Sequence, residues 1–245
     1  MVRKLWVNGL AMIEDASEEQ PLFAGVDILE ELPQSELERL ATRSRSVHLA
    51  KKEDLNLGGH HRVILLLASG RVRVHEPTFR NQDLTFSVVE GATVVAQTGS
   101  KPRPSRASRV EALEPSVLRV VGWEAFEDLV LRNPKVGLKT IRLLGERLDA
   151  YEGRLSDLIR KEVPARLAGL ILRLSERQGV IAGHRDRRIP ARYTHQQLAS
   201  MVGSNREAVT RALGVLRKAG AVETRDRQIY VRDVDALEYF AEVER

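Results

Sequence analysis

The residues best suited to selective chemistry are four charged or polar side chains between positions 206 and 211. They are Arg206, Glu207, Thr210 and Arg211, and their spacing places them opposite the apolar face of a helix. An arginine can donate two hydrogen bonds to O6 and N7 of guanine, and a glutamate can accept one from N4 of cytosine. The pattern therefore indicates recognition of base edges in duplex DNA rather than a bond-making reaction.

Two short capped helices must position these side chains. Thr194 and Gln197 have the T-x-x-Q spacing of a capping box, and Ser204 and Glu207 have the S-x-x-E spacing of a second one. Gly203, which lies between the two predicted helices, suits a tight turn. Two capped helices joined by a glycine turn predict a helix-turn-helix.

The second helix is followed by a basic hairpin. Gly220 suits the position after its last turn, and two β-rich runs, 221–224 and 228–231, surround Arg225 and Arg227. An ordinary helical hairpin with a solvated charged face is the alternative, but the two caps, the turn glycine and this wing together favour DNA binding. The candidate DNA contacts are Thr194, Ser204, Asn205, Arg206, Glu207, Thr210, Arg211, Arg225 and Arg227.

Residues 47–121 have a different pattern. Short β-rich runs recur there at intervals of about 8–12 residues, with turn residues between them. The runs are Val47–Leu49, Val63–Leu67, Arg71–His75, Leu84–Val89, Thr93–Val95, Ser108–Leu113 and Ser116–Val121. They predict an all-β sandwich, roll or barrel after short helices at 21–44, so the predicted fold class of the whole chain is α+β.

A long helix is predicted between Pro134 and Pro164. Its apolar residues follow one another at alternating steps of three and four, which forms a heptad seam. The seam consists of Ile141, Leu144, Leu148, Tyr151, Leu155 and Leu158. A narrow seam between charged flanks predicts a parallel homodimer, and packing of the helix on its own domain is the alternative. The predicted divisions are a lead at 1–20, a β domain at 21–132, a dimerisation helix at 133–163 and a DNA-binding domain at 164–245.

Composition excludes several classes of protein. The 245 residues include no cysteine, which excludes disulfide scaffolds, thiolate metal sites and cysteine nucleophiles and suits a cytoplasmic chain. The longest apolar run, Val63–Ala68, is far shorter than the ~18 residues that a membrane span needs, so we expect no membrane partner. The net charge of +5 is modest, but basic residues are in excess between positions 160 and 192, next to the predicted helix-turn-helix. We expect part of this basic segment to contact DNA phosphates.

The C-terminal segment resembles the Crp/Fnr family of bacterial transcription regulators. The resemblance rests on Ser204–Arg211 (SNREAVTR), which is similar to the recognition helix of the family, and it continues through the wing. Val63–Val72 (VILLLASGRV) is similar to a strand-turn-strand of the family's cyclic-nucleotide-binding roll. Over residues 20 to 241 the resemblance implies an effector-type β-roll of the jelly-roll kind, a dimerisation helix and a winged helix-turn-helix.

The resemblance also implies partners and a target. It implies a homodimer on double-stranded DNA whose two recognition helices lie about one DNA turn apart on a palindromic site. Arg206, Glu207 and Arg211 would contact half-sites with a GTG/CAC-like core, and RNA polymerase would be a further partner. The iron–sulfur cluster of the Fnr branch requires cysteines, so we expect none here.

The effector pocket departs from the family pattern. Ala96 stands where cyclic-nucleotide-binding members have the glutamate that holds the ribose hydroxyl. In the second half of the cassette Arg106 fits the phosphate arginine, whereas Ala107, beside Ser108, replaces a hydroxyl residue. An unpaired buried hydroxyl costs about 1–3 kcal/mol, so we expect no tight binding of cyclic AMP. The alternative is a sensor gated by a different small anionic or nucleotide effector, held by the basic loop at 100–109.

Enzymatic and cofactor hypotheses have little support. The sequence has no P-loop, H-E-x-x-H, G-x-S-x-G or G-x-G-x-x-G motif, so we expect no enzyme. We also expect no metal site. Haem ligation by one of the histidines at 48, 60, 61 and 75 is a less favoured hypothesis, because histidines in turns are ordinary surface residues.

Overall fold

A computed structural model describes residues 4–7, 10–13, 23, 25–57, 62–76, 83–97, 109–182 and 186–243. The chain divides into two units, residues 1–146 and 147–245, with the boundary inside a 27-residue helix. The described part combines antiparallel sheets with helices, as the sequence predicts.

The first unit contains strands β1 to β10. A hairpin of β1 and β2 precedes two four-stranded antiparallel sheets, ordered β3-β10-β5-β8 and β4-β9-β6-β7. The strands are β1 (Lys4–Val7), β2 (Leu10–Ile13), β3 (Ser44–Leu49), β4 (Asp54–Asn56), β5 (Val63–Ser69), β6 (Arg71–Glu76), β7 (Leu84–Glu90), β8 (Thr93–Gln97), β9 (Arg109–Ala112) and β10 (Ser116–Gly122). Each predicted run overlaps a strand, whereas β1 and β2, in the predicted lead, and the three-residue β4 were not predicted.

Strand β5 explains the apolar run seen in the sequence. Leu65 and Leu67 contribute to a core formed by residues of both four-stranded sheets, whereas Ile64 and Leu66 belong to a second core with helical residues such as Phe126. A strand covered on both faces is apolar at every position rather than at alternate ones. Among the described residues, no helix is long and apolar enough to cross a membrane.

The β5–β6 turn depends on a glycine. Gly70 has a φ of +92°, which is favourable only without a side chain. A Cβ at this position would lie 2.6 Å from the carbonyl oxygen of Pro115. Both the backbone conformation and the close approach therefore require glycine here.

Helices occur in both units, and the second unit contains the predicted DNA-binding module. A short 3-10 helix (Asp27–Leu29) precedes α1 (Gln34–Ala41), α2 (Trp123–Arg132), α3 (Pro134–Arg160), α4 (Val163–Gln178), α5 (His195–Met201), α6 (Arg206–Lys218) and α7 (Val234–Glu242). The second unit also has a sheet ordered β11-β12-β14-β13, with strands β11 (Val180–Ile181), β12 (Arg187–Ile189), β13 (Val222–Arg225) and β14 (Gln228–Val231). Its core joins α4, α5, α6, α7 and this sheet.

Candidate nucleic-acid interface

The first capping box is present as predicted. The Thr194 hydroxyl accepts a hydrogen bond from the backbone N–H of Gln197 at 3.1 Å, and the Thr194 N–H donates to the Gln197 side chain at 2.8 Å. The reciprocal pair satisfies two donors that the start of α5 would leave unpaired. It thereby fixes the position at which α5 begins.

The second predicted capping box is wrong. Asn205, not Ser204, caps α6, because its side-chain oxygen accepts a hydrogen bond from the N–H of Ala208 at 2.8 Å. The N–H of Ser204 instead donates to the carbonyl of Ala199 within the turn. The cap therefore lies one residue later, and Glu207, which is exposed in the first turn of α6, is not needed to cap the helix.

The turn between α5 and α6 requires glycine because of its backbone conformation, and it lies close to a side chain of α3. Gly203 has a φ of +63°, and a Cβ there would lie 2.8 Å from Cδ2 of Leu158 on α3. Leu158, which the sequence assigns to the dimer seam, thus also lies against this turn. Because Leu158 is only 40% exposed, it is among the least exposed members of that seam.

One face of helix α6 is buried in the core of its unit, and the opposite face is exposed to solvent. Its inner side chains are at most 2% exposed and consist of Val209, Ala212, Leu213 and Leu216. The four residues predicted to read bases, namely Arg206, Glu207, Thr210 and Arg211, are all exposed. Burial of the apolar face fixes the rotation of the helix and so places these four side chains on the outer surface.

A hydrogen-bond chain connects α5 to α6 at this surface. The Thr210 hydroxyl donates to the carbonyl of Arg206 at 2.8 Å, and Nδ1 of His195 lies 2.8 Å from the same hydroxyl oxygen. Because that hydroxyl has one proton, His195 must donate from Nδ1, which leaves the lone pair of neutral His195 on Nε2. Burial, together with the positive charges of Arg206 and Arg217, lowers the pKa of His195. The predicted contact residues did not include His195. Its pairing with Thr210 joins two helices, and the sequence pattern of either helix alone does not show it.

The wing lies next to the start of α5. Asp226 and Arg227 both have positive φ, +49° and +63°, as in a two-residue hairpin turn of type I′. The N–H of Tyr193 donates to the carbonyl of Arg227 at 3.2 Å, which ties the wing tip to the residue before Thr194.

A cleft of about 460 Å³ lies between the helices and the wing. It is lined by Thr194, Arg206 and Arg227, so three of the predicted contact residues meet there. Arg225, by contrast, pairs with Glu223 and its guanidinium lies 5.8 Å from the ring centre of Tyr230. The wing therefore offers one cation in the cleft and a second that is already paired.

Comparisons with known proteins agree with this geometry. Residues 165–240 match the family model of the Crp-like helix-turn-helix domain. Two similar proteins are the CRP-like cAMP-activated global transcriptional regulator of Mycobacterium tuberculosis (26% identity, 71% of this chain and 77% of the relative) and the Cyclic AMP receptor protein of Thermus thermophilus (28% identity, 73% and 79%). A CooA mutant from Carboxydothermus hydrogenoformans has a similar fold, with a TM-score of 0.73 and 19% identity over 90% of this chain and 99% of that one.

Residues 165–240 thus form a Crp-like helix-turn-helix domain, and the chain is similar to transcription regulators of the Crp/Fnr family. The predicted fold class, which combines an N-terminal β-roll, a long helix and a C-terminal winged helix-turn-helix, is confirmed.

The segment that the resemblance likens to an effector cassette is only partly described. Ala96 lies on β8 opposite Leu65 of β5 and packs against the core between the sheets. It offers no carboxylate to a ligand at this position. Arg106, Ala107 and Ser108 lie outside the described residues, as do His60 and His61.

The basic segment at 160–192 divides into interior and surface residues. Arg166 is buried, and its Nη1 donates to the carbonyl of Lys161 at 2.9 Å, so its described role is to hold the α3–α4 junction. Arg187 on β12 and Arg192 before α5 are exposed. Only such exposed residues can contribute to phosphate contact.

Proposed function

We propose that this regulator binds DNA as a homodimer on a palindromic site with GTG/CAC-like half-sites, and that it does so without cyclic AMP. The observation that carries the proposal is the exposed group Arg206, Glu207 and Arg211 on the first turns of α6. These charges form no ion pair with another described residue, and they lie on a Crp-like helix-turn-helix. They are therefore available to base edges in a major groove.

The phosphate backbone would be held by cations around this surface. Arg227 and Arg206 line the cleft beside Thr194, and Arg192 is exposed just before α5. Hydrogen bonds from arginines, hydroxyl groups and helix N-termini to phosphates fix the register of a protein on DNA. The capped start of α5 next to the wing is thus suited to position α6 in the groove.

The long helix supports a dimer. The proposed seam residues on α3 are exposed to between 40% and 68% although they are apolar: Ile141, Leu144, Leu148, Tyr151, Leu155 and Leu158. A repeating apolar seam that its own chain leaves exposed favours a second copy as its partner. Two copies would present two recognition helices, which accounts for a palindromic site.

The proposed independence from cyclic AMP rests on Ala96, which departs from the family pattern. Ala96 lies on β8 with a methyl group and no acceptor for a ribose hydroxyl. The cAMP-activated relative and the Cyclic AMP receptor protein keep ligand control open as a second candidate. In that case a different small anion or nucleotide would gate binding, and RNA polymerase contact would follow as in a transcription activator.

The test is selection of bound sequences from random DNA duplexes with the full chain and no added ligand. We expect enrichment of a palindrome with GTG/CAC-like half-sites about one helical turn apart. The affinity for the selected duplex is then measured by fluorescence anisotropy with and without saturating cyclic AMP, and we expect less than a twofold change.

Three results would contradict parts of this proposal. If no sequence is enriched and duplex binding does not depend on salt, the proposed sequence-specific recognition is wrong. If enrichment appears only after cyclic AMP is added, the proposed independence from cyclic AMP is wrong, whereas the proposed DNA recognition still holds. Enrichment restored by another anionic effector would favour the second candidate.

A further inference from the structure

A cluster of charged side chains lies on the outer face of the sheet formed by β4, β9, β6 and β7. The register pairs Asp54 of β4 with Glu111 of β9, and Glu111 in turn with Arg73 of β6. His75 follows Arg73 by two residues and therefore shares its face. Three strands that are distant in sequence thus bring two carboxylates and an imidazole together.

The imidazole of His75 is the buried centre of this cluster. Its side chain is only 4% exposed, and Nε2 lies 3.2 Å from Oδ1 of Asp54. On the other side of the ring, Nδ1 lies 3.4 Å from Oδ2 of Asp83 at the start of β7. That distance allows electrostatic attraction, but Nδ1 has no hydrogen bond within the part of the chain that the structure describes.

In the described geometry the hydrogen-bonded ring nitrogen of His75 is Nε2, which donates to Oδ1 of Asp54 at 3.2 Å. A metal ion bound at Nε2 would replace that proton, and the ring proton would then lie on Nδ1, facing the carboxylate of Asp83 at 3.4 Å. Histidines that bind metals commonly have a carboxylate beside the ring nitrogen that does not bind, because it orients the ring and makes the ligating nitrogen more basic. Asp83 is placed for that role.

We propose that Asp54, His75 and Glu111 bind a divalent transition-metal ion, with Asp83 supporting the ring of His75. One ligand atom from each of the three residues lies within 4.8 Å of the other two. Two ligands on opposite sides of an ion at ~2.1 Å each would lie about 4.2 Å apart. Small side-chain rotations therefore bring all three within binding distance.

The neighbouring arginines leave ligand atoms available. Arg73 donates from Nε to Oε2 of Glu111 at 2.7 Å, and its Nη2 donates to the same oxygen and to Asp83. Arg109 lies 3.5 Å from Oδ2 of Asp54. Oε1 of Glu111 and Oδ1 of Asp54 thus face no arginine among these contacts. Three carboxylates against two guanidinium groups leave the cluster one negative charge, which a cation would offset.

The donor set indicates the class of ion. One imidazole with two carboxylates suits Zn²⁺, Mn²⁺ or Fe²⁺, whereas Mg²⁺ and Ca²⁺ prefer oxygen donors alone. We therefore expect Zn²⁺ and Mn²⁺ to bind and Mg²⁺ to bind at least tenfold more weakly.

The test is calorimetric titration of the full chain, stripped with EDTA and dialysed, with Zn²⁺, Mn²⁺ and Mg²⁺ in separate runs. We expect one equivalent of tight Zn²⁺ that Asp54→Asn, His75→Gln and Glu111→Gln each weaken at least 100-fold. Asp83→Asn should weaken it by about 10- to 100-fold, as is typical for residues that orient a ligand. His48→Gln, which removes an exposed histidine of β3, is the matched control and should change nothing.

Folding of each variant is followed by circular dichroism, and thermal unfolding is recorded with and without Zn²⁺. Zn²⁺ should raise the unfolding temperature of the wild type and not that of Asp54→Asn, whose side chain is partly exposed and whose fold we expect to persist. The proposal is overturned if the wild type binds no Zn²⁺ at 1 mM. Equal Zn²⁺ affinity in Asp54→Asn and in the wild type would also overturn it.

Discussion

The outer surface of α6 and the cluster on the β4–β9–β6–β7 sheet are both rich in charge, but they are organised in opposite ways. On α6, Arg206, Glu207 and Arg211 are exposed and form no ion pair with other described residues. On the sheet, Arg73 is 13% exposed and is shared between Glu111 and Asp83. The first group is free to meet a partner, whereas most charges of the second group are already paired within its own unit.

This difference indicates what each group contributes. Charges compensated by close neighbours contribute to the stability of the unit that holds them, because loss of one partner leaves the other charge poorly solvated. Exposed unpaired charges contribute little to folding and are available for binding. The same kind of substitution, arginine to alanine, should therefore have opposite consequences in the two regions.

The largest effect is expected from Arg73→Ala. It leaves Glu111 and Asp83 without their shared cation, and we expect the first unit to lose about 3 kcal/mol of unfolding free energy. Both tryptophans, Trp6 and Trp123, lie in residues 1–146, so tryptophan fluorescence during urea unfolding reports on this unit. The exposed Lys51→Ala is the control. A loss for Arg73→Ala no greater than that for Lys51→Ala would break the distinction between the two regions.

A smaller effect, on binding alone, is expected from Arg206→Ala. Loss of one bidentate base contact should weaken binding to the selected palindrome by about 1–3 kcal/mol, or about 5- to 150-fold, without loss of unfolding free energy. Lys218→Ala, at the other end of α6, is the matched control and should change affinity much less. Anisotropy titrations with the selected duplex and a scrambled one distinguish lost specificity from lost charge. If the two variants lose equal affinity on both duplexes, α6 does not read bases through Arg206.

The smallest effect concerns His195. Because burial and two nearby arginines lower its pKa in the folded state, the unfolded chain binds more protons near and below the ordinary pKa of 6.5. The stabilisation that neutral His195 gives is thus present above pH 6.5 and declines as the pH falls below it. We expect amide exchange in α5 and α6 to accelerate more between pH 7 and 5.5 in the wild type than in His195→Gln, after correction for intrinsic rates. Identical acceleration in both proteins would contradict a lowered pKa.

Local features of the DNA-binding domain could be predicted well from the sequence. The Thr194 cap, Gly203 with positive φ and Gly220 after α6 follow from interactions between residues a few positions apart. The α6 cap was displaced by one residue, because Ser204 and Asn205 are adjacent and both are good capping residues. The folded turn selects Asn205, because the N–H of Ser204 is bonded to the carbonyl of Ala199 and the side chain of Asn205 reaches the N–H of Ala208.

Contacts between distant segments could not be predicted in this way. The alternation Arg73-Val74-His75 shows that two polar residues share one face of β6, but not that Asp54 and Glu111 lie beside them. That neighbourhood arises because β9 lies between β4 and β6, an order that strand propensity does not encode. The His195 to Thr210 bond was missed for the same reason, since it joins two residues that are 15 positions apart on different helices.

The contact between Leu158 and Gly203 has a consequence for which substitutions the chain can tolerate. A residue at 158 must suit the seam of α3 and also leave room for the α5–α6 turn, whereas Leu155, at 61% exposed, lies farther out in the seam. Saturation mutagenesis should therefore accept fewer amino acids at 158 than at 155. Larger side chains at 158 should fail even when they are apolar, and tolerated substitutions in α3 should be fewest where that helix meets the turn.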